Sequence, residues 1–493
     1  MEKFKNYING VWSIPFNENY FDNINPADKK DIIGEFPLSG QDDVDAAVRA
    51  ASKTFLSWKN VPAPKRGDIL RIAGDIFSRR KKELSEIMTR EMGKPTFETE
   101  GDIQEAIDTC YYAASETRRL FGHTVPSEME NKMNLSFRVP IGVCGIITAW
   151  NFPIAVPSWK IIPALAAGNT VVFKPSEDSP HSANIFAEIL QEAGLPVGVF
   201  NVVHGDGEAG KALVENPEVK LIGFTGSTDT GKRIASRCGE LNKKVSLEMG
   251  GKNAMIVMDD ADLDLALDGI VWGAYGTTGQ RCTATSRLIL HEDIYHHFIR
   301  LLKEKATNLK LGDGREKGTE MGPVINTKAL DKISHYFRLA EQEGLKLEFG
   351  GERAFTDGLK DGNFIEPTLY VDVPQSSKLF QEEIFGPVLV ATKVSNLEEA
   401  LEAANNSAYG LSSSIYTKDI RNSWLAIREL EAGITYVNAP TIGAEAHMPF
   451  GGVKGTGNGH REGGWTVFDI FTEWKTVYID YSGSLQRAQI DNY

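Results

Sequence analysis

Val143-Cys-Gly-Ile-Ile-Thr148, then Pro157-Ser-Trp-Lys-Ile-Ile-Pro-Ala-Leu-Ala-Ala167, then Thr170-Val-Val-Phe173 is the stretch that decides the fold. Two short β-forming runs flank an eleven-residue apolar helix pattern. A strand returning through a helix to a second strand is the unit of a parallel sheet. Working outward, residues 183–193 read as a helix, 199–203 as a strand, and 221–225 as a strand entering another helix. The alternation resumes after Asn253, with strands expected at 254–257, 287–290, 385–393 and 411–416. Two α/β units are therefore expected, joined near residues 248–253. Upstream, from Asp42 to about Phe121, apolar residues such as Ile103, Ile107, Cys110 and Ala114 recur at helical spacing. Residues 134–139 and 476–481 are strand-like but detached, free to pair with each other or with another subunit.

Composition narrows the function. A chain of 493 residues exceeds what one core fills, since single cores stop growing at roughly 250–300 residues. The apolar fraction of 41% and charged fraction of 24% suit a globular chain, and the net charge of −14 disfavours nucleic acid or an anionic membrane as main partner. Cys110, Cys144, Cys238 and Cys282 show no paired spacing, so neither a disulfide scaffold nor a metal site is expected. The first residues lack a secretory pattern, and residues 139–173, the most apolar region, are broken by Asn151, Lys160 and Asn169 and by Pro153, Pro157 and Pro163. A soluble cytoplasmic protein is the expectation.

Several segments carry chemistry. Gly205-Asp-Gly-Glu-Ala-Gly210 fits the dinucleotide fingerprint, with Gly207 at its centre, but Gly223-Phe-Thr-Gly-Ser-Thr-Asp-Thr-Gly231 rivals it. There a strand runs into a Ser227 cap, whose free N–H groups suit an anion. Lys174 and Glu177 close a strand, where both suit the hydroxyls of an adenosine ribose or simply pair with each other. In Gly279-Gln-Arg-Cys-Thr283, Cys282 stands in a polar loop beside Arg281, whose positive charge is expected to lower the thiol pKa. The histidines offer no obvious base: His291, His296 and His297 look solvated. Glu248, between apolar residues and a glycine turn, qualifies instead, because burial would raise its pKa toward neutrality. Asn151, an amide in the most apolar stretch, either fastens its loop or aims its NH₂ at a developing oxyanion.

In order, Trp-Asn-Phe-Pro153, Lys-Pro-Ser-Glu177, Phe224-Thr-Gly-Ser227, Leu247-Glu-Met-Gly-Gly-Lys252, Gly-Gln-Arg-Cys282, Glu383-Ile-Phe-Gly-Pro-Val388 and Pro449-Phe-Gly-Gly-Val-Lys454 resemble the aldehyde dehydrogenase superfamily over nearly the whole chain. The resemblance implies an α/β fold of two doubly wound parallel-sheet domains plus a β bridging arm. It places the cofactor-binding domain at 1–119 and 140–249, the catalytic domain at 250–450, and the arm at 120–139 and 470–493. It implies NAD, with NADP possible, and a homodimer or homotetramer. Cys282 would attack the aldehyde, Asn151 and the Cys282 N–H would hold the oxyanion, and Glu248 would activate the hydrolytic water. The cofactor residues would be Trp150, Lys174, Ser176, Glu177, Gly207, Phe224, Gly226, Ser227, Gly231, Met249, Glu383 and Phe385. Pyrophosphate would then bind at Ser227, leaving 205–210 a neighbouring glycine turn.

Residues 434–445 and 411–419 are similar to antiquitin-type aminoadipate-semialdehyde dehydrogenases, whereas Thr283-Ala-Thr-Ser-Arg287 is similar to 2-oxoglutarate-semialdehyde dehydrogenases. Substrates of both carry a remote carboxylate. Arg281, Glu105, Gly443 and Ala444 match antiquitin's tail-binding positions, although Glu105 and Asp102 read by themselves as a solvated helical face. The chain departs from antiquitin at His447-Met448. Two other readings compete: a coenzyme A-acylating enzyme, which needs no water-activating carboxylate, and a non-catalytic protein on the same fold.

Overall fold

The computed structural model describes residues 1–356 and 358–491. The alternation read from the sequence becomes one sheet. Strands Val143–Ile147, Thr170–Lys174, Phe200–Val202, Val219–Thr225 and Lys244–Glu248 pair in parallel. From Val143–Ile147 the chain steps outward twice, then crosses to the other side to lay down Val219–Thr225 and Lys244–Glu248. The carboxyl ends of Val143–Ile147 and Val219–Thr225 thus flank a topological switch point, where open α/β sheets bind ligands.

An N-terminal hairpin, Asn6–Ile8 and Val11–Ser13, extends this sheet antiparallel beyond Phe200–Val202. It went unread because three-residue strands carry too little periodicity. Separate apolar clusters cover the two faces, one containing Ile161, Phe173 and Phe186, the other Val48, Val172 and Leu213.

The second sheet has six parallel strands: Asn253–Val257, Thr285–His291, Thr368–Val371, Val388–Val394, Ser412–Tyr416 and Ile434–Val437. Lys346–Phe349 adds an antiparallel edge. The strand expected at 385–393 begins only at Val388, because Phe385 adopts a left-handed φ of 63° and turns the chain. The helical region resolves into Gln41–Trp58, Ala63–Arg79, Lys81–Met92 and Thr96–Glu116.

The detached strands pair with each other: Lys132–Pro140 runs antiparallel to Thr472–Asp480, with His123–Pro126 on its far side. Residues 492 and 493 of the expected arm lie outside the described residues. Among the described residues, no helix is long and apolar enough to cross a membrane.

Candidate active site

The first sheet presents the carboxyl ends of its strands to the second, which answers with amino ends. Asn151 follows Val143–Ile147, Lys174 ends Thr170–Lys174 with Glu177 three residues on, Ser227 follows Val219–Thr225, and Glu248 ends Lys244–Glu248. Opposite them, Cys282 precedes Thr285–His291 and Glu383 precedes Val388–Val394. A cavity of about 450 Å³ is lined from both sides of this seam, a second of about 650 Å³ is lined by residues of the first unit, and Thr225 borders both.

The smaller contains Cys282. Its loop begins with left-handed φ angles at Thr277 (51°), Thr278 (58°) and Gly279 (67°). At 279 a Cβ would fall 2.2 Å from the Gly386 carbonyl oxygen, so only glycine fits. Asn253 Nδ2 donates to the carbonyls of Cys282 (2.8 Å) and Ala284 (2.9 Å), while its Oδ1 accepts from Ser412 N (3.0 Å). Asn253 thus ties the Cys282 loop to the start of Ser412–Tyr416.

The thiol differs from expectation. Burial, with Glu248 and Glu383 nearby, pushes it up to about 12. Arg281 does not lower it, because the guanidinium turns away: Nη2 donates to Glu98 (2.7 Å), Nε donates to Thr277 Oγ1 (2.9 Å), and the group stacks 4.6 Å from the Trp272 ring. Cys110 and Cys144 are fully buried, and burial raises both thiols.

Glu248 is 4% exposed, and neither carboxylate oxygen has a hydrogen-bond partner among the described residues. Desolvation raises it to about 8, although Lys160 and Arg461 pull the other way. A Cβ at Gly451 would lie 2.6 Å from Glu248 Oε1, so the opposing turn leaves room only for the carboxylate. Lys160, ion-paired with Glu462, is depressed by burial to about 7. Asn151 is 3% exposed and donates from Nδ2 to the Gln280 carbonyl (3.2 Å).

Arg281, Glu105, Gly443 and Ala444 all line the Cys282 cavity. The solvated-face reading of Asp102 and Glu105 fails. Asp102 is 1% exposed and pairs with Lys94 (2.7 Å), while Glu105 is half-buried and raised to about 8 by desolvation. Glu98, Asp102 and Glu105 share a face of Thr96–Glu116. That i, i+4, i+7 carboxylate stripe was the signal for Glu98, which went unread. His447 and Met448 are exposed.

The larger cavity is lined by Trp150, Lys174, Ser176, Glu177, Gly207, Phe224, Gly226 and Ser227. Ser227 caps Thr228–Glu240, and its hydroxyl accepts from Thr230 N (3.4 Å). Lys174 and Glu177 do pair (3.3 Å), yet both face the cleft. The 205–210 turn contributes Asp206, which caps Gly207–Glu215. Met249 lines the smaller cavity, and Gly231 packs against it, since a Cβ there would meet Met249 Sδ at 2.4 Å. Phe385 stands edge-on to Trp150 (5.5 Å), and Glu383 Oε1 accepts from Gly251 N (2.8 Å). Thr225 Oγ1 is buried without a partner among the described residues, an open polar position where the cavities meet.

Asp259, His291 and Asp293 bring donor atoms within 4.8 Å of one another, although His291 Nδ1 already accepts from Asp293 N (3.3 Å).

Residues 13–477 match the model of the aldehyde dehydrogenase family. This chain belongs to that family. It is similar to alpha-ketoglutarate semialdehyde dehydrogenase of Haloferax volcanii, 41% identical over 97% of this chain and 99% of the relative. It is also similar to alpha-ketoglutaric semialdehyde dehydrogenase of Bacillus subtilis, 39% identical over 97% and 98%. Among solved structures, betaine aldehyde dehydrogenase of Staphylococcus aureus in complex with NAD⁺ superposes with a TM-score of 0.95, at 34% identity, covering 98% of this chain and 96% of that one. The chain is an NAD(P)-dependent aldehyde dehydrogenase with the α/β fold of its family. Of the two branches that its motifs resemble, these relatives carry the 2-oxoglutarate-semialdehyde one.

Proposed function

We propose that this enzyme oxidises a carboxylate-bearing semialdehyde to the diacid, with Cys282 as nucleophile, Asn151 as oxyanion donor and Glu248 as general base. The observation that carries the reading is that Cys282, Glu248 and Arg281 line one cavity, with the Asn151 amide bonded to the Gln280 carbonyl two residues before Cys282. Aldehyde enters the 450 Å³ cavity, and the partly exposed Cys282 gives its thiol proton to solvent as Sγ bonds to the carbonyl carbon and the C=O π pair moves onto oxygen. Asn151 Nδ2 and the Cys282 N–H hold the resulting oxyanion. The Trp150–Ser227 cleft, with its Ser227-capped helix N-terminus, the Lys174–Glu177 pair and a Thr225 hydroxyl unpartnered among the described residues, suits a nicotinamide dinucleotide. When bound, that cofactor supplies the hydride acceptor. The oxidised adduct is a thioester on Cys282, and Glu248 takes a proton from the water that cleaves it. A buried carboxyl near 8 is matched to that task at neutral pH, which weighs against transfer to coenzyme A.

The exposed Glu177 carboxylate favours NAD over NADP, and Lys174 beside it softens the preference. The arm exposes Val125, Met133, Trp474 and Tyr478, which supports a homodimer or homotetramer built through it. A cytoplasmic location suits four unpaired thiols. The two large sheets and the three-stranded one support a division into cofactor domain, catalytic domain and arm.

The substrate reading rests on Arg281. A charge-assisted bidentate contact is worth roughly 1.5–3 kcal/mol, or about one to two decades in kcat/KM. Glutarate semialdehyde should outperform pentanal by that margin, and Arg281→Met should erase most of it. Equal efficiencies in the parent enzyme would leave Arg281 a structural partner of Glu98.

A further inference from the structure

Asn151 lies between the strand Val143–Ile147 and the helix Ala155–Ala167, outside regular structure. Its loop needs anchors from elsewhere. Besides the Asn151 amide's own bond to the Gln280 carbonyl, a buried ion pair supplies them. Lys94 Nζ donates to the Asn151 main-chain carbonyl (3.0 Å) and to Asp102 Oδ2 (2.7 Å). The other Asp102 oxygen accepts from Ala155 N (2.7 Å), and the ammonium lies 3.8 Å from the centroid of the Phe152 ring. Residues 151, 152 and 155 are thus gripped at three points by two side chains that are 1% and 0% exposed.

Such a pair is a poor source of stability, because desolvation offsets its attraction and apolar replacements of both partners are often neutral. Geometry is the better account. Lys94 leaves the left-handed Gly93 that ends Lys81–Met92, and Asp102 stands on Thr96–Glu116, so two helices outside the first sheet dictate where the loop sits. A misplacement of 1 Å at a reacting centre can cost about 10²-fold.

We propose that Lys94 and Asp102 are positioning residues that hold the Asn151 amide toward the oxyanion formed at Cys282; the proposal rests on the reading of Asn151 as oxyanion donor. The test is a mutant cycle on the full-length enzyme with NAD, following acylation in single turnovers with pentanal and with glutarate semialdehyde. Asn151→Ala should slow acylation by about 10²–10³. Lys94→Met/Asp102→Leu, which strands no charge, should slow it about 10- to 100-fold by the same factor for both aldehydes, since the oxyanion is common and the tail is not. Added to Asn151→Ala, the pair should cost less than about threefold more. A pair whose loss costs the same with and without the Asn151 amide does not act through it, and the proposal falls. A loss confined to glutarate semialdehyde overturns it too, by assigning the pair to the tail. If Asn151→Ala costs less than about threefold, it is the oxyanion reading that fails. Should the double replacement not fold, Asp102→Asn takes its place: a loss that vanishes without the Asn151 amide supports positioning, while a persisting loss, or none, refutes it.

Discussion

In the cavity around Cys282, charge is buried and matched pair by pair, Arg281 with Glu98, Lys94 with Asp102 and Lys160 with Glu462. Among the described residues Glu248 and Glu105 form no such pair, and desolvation drives both to about 8. In the neighbouring cleft Lys174 and Ser176 are buried, but Ser227 is exposed and the Glu177 side chain is 46% exposed, so its acidic group lies near water. The same kinds of side chain thus do two jobs. Where water is excluded, each group's protonation state is set by its neighbours and controls chemistry. Where water has access, charge is screened and tunes choice between similar ligands. Substitutions in the first region should therefore change rates by orders of magnitude, and those in the second only ratios.

The largest effect tests the first half of that contrast. Cys282→Ala should abolish aldehyde oxidation while leaving NAD affinity, followed by fluorescence titration, within about twofold, because the thiol is not part of the cleft. Substantial remaining turnover would remove Cys282 from the mechanism.

A graded effect comes from pH. As the proposed base Glu248 would act only when ionised, and its carboxylate form dominates above about 8. Below that, hydrolysis of the acyl-enzyme should fall about tenfold per unit of pH and should level off above it. A flat profile from 6 to 9 in pre-steady-state deacylation would show that Glu248 is not the titrating base.

The smallest effect belongs to the cleft. Glu177→Gln should raise the NADP-to-NAD ratio of kcat/KM about three- to tenfold, since an exposed carboxylate facing a 2′-phosphate is partly screened. A change of a hundredfold would mean the cleft is as desolvated as the cavity, and the contrast would dissolve.

The strand–helix alternation was legible because each buried strand is a continuous apolar run, and the residues at strand ends followed from it. Glu248 was legible for a related reason: a lone carboxylate between Leu247 and Met249 has little chance of meeting water. The thiol shift of Cys282 was not. Sequence adjacency to Arg281 gave no information about direction, and the guanidinium faces Glu98, a residue 183 positions away. Asp102 was misread because the apolar stripe through Ile103 and Ile107 suggested one buried face. Thr96–Glu116 is instead buried on two sides, its second side carrying acids that meet Lys94 and Arg281. The N-terminal hairpin was lost to brevity. Pairings across distant segments are set by tertiary contacts that local pattern does not encode.

The division of labour between Cys282 and Glu248 is the centre of the account, and rapid mixing of Glu248→Gln with NAD and glutarate semialdehyde tests it most directly. Hydride leaves before water attacks, so the variant should release a burst of about one reduced cofactor per active site and then turn over slowly, with an acyl adduct on Cys282 in the quenched protein by mass spectrometry. A variant showing neither burst nor adduct would place Glu248 in acylation or in the scaffold, and would contradict the mechanism.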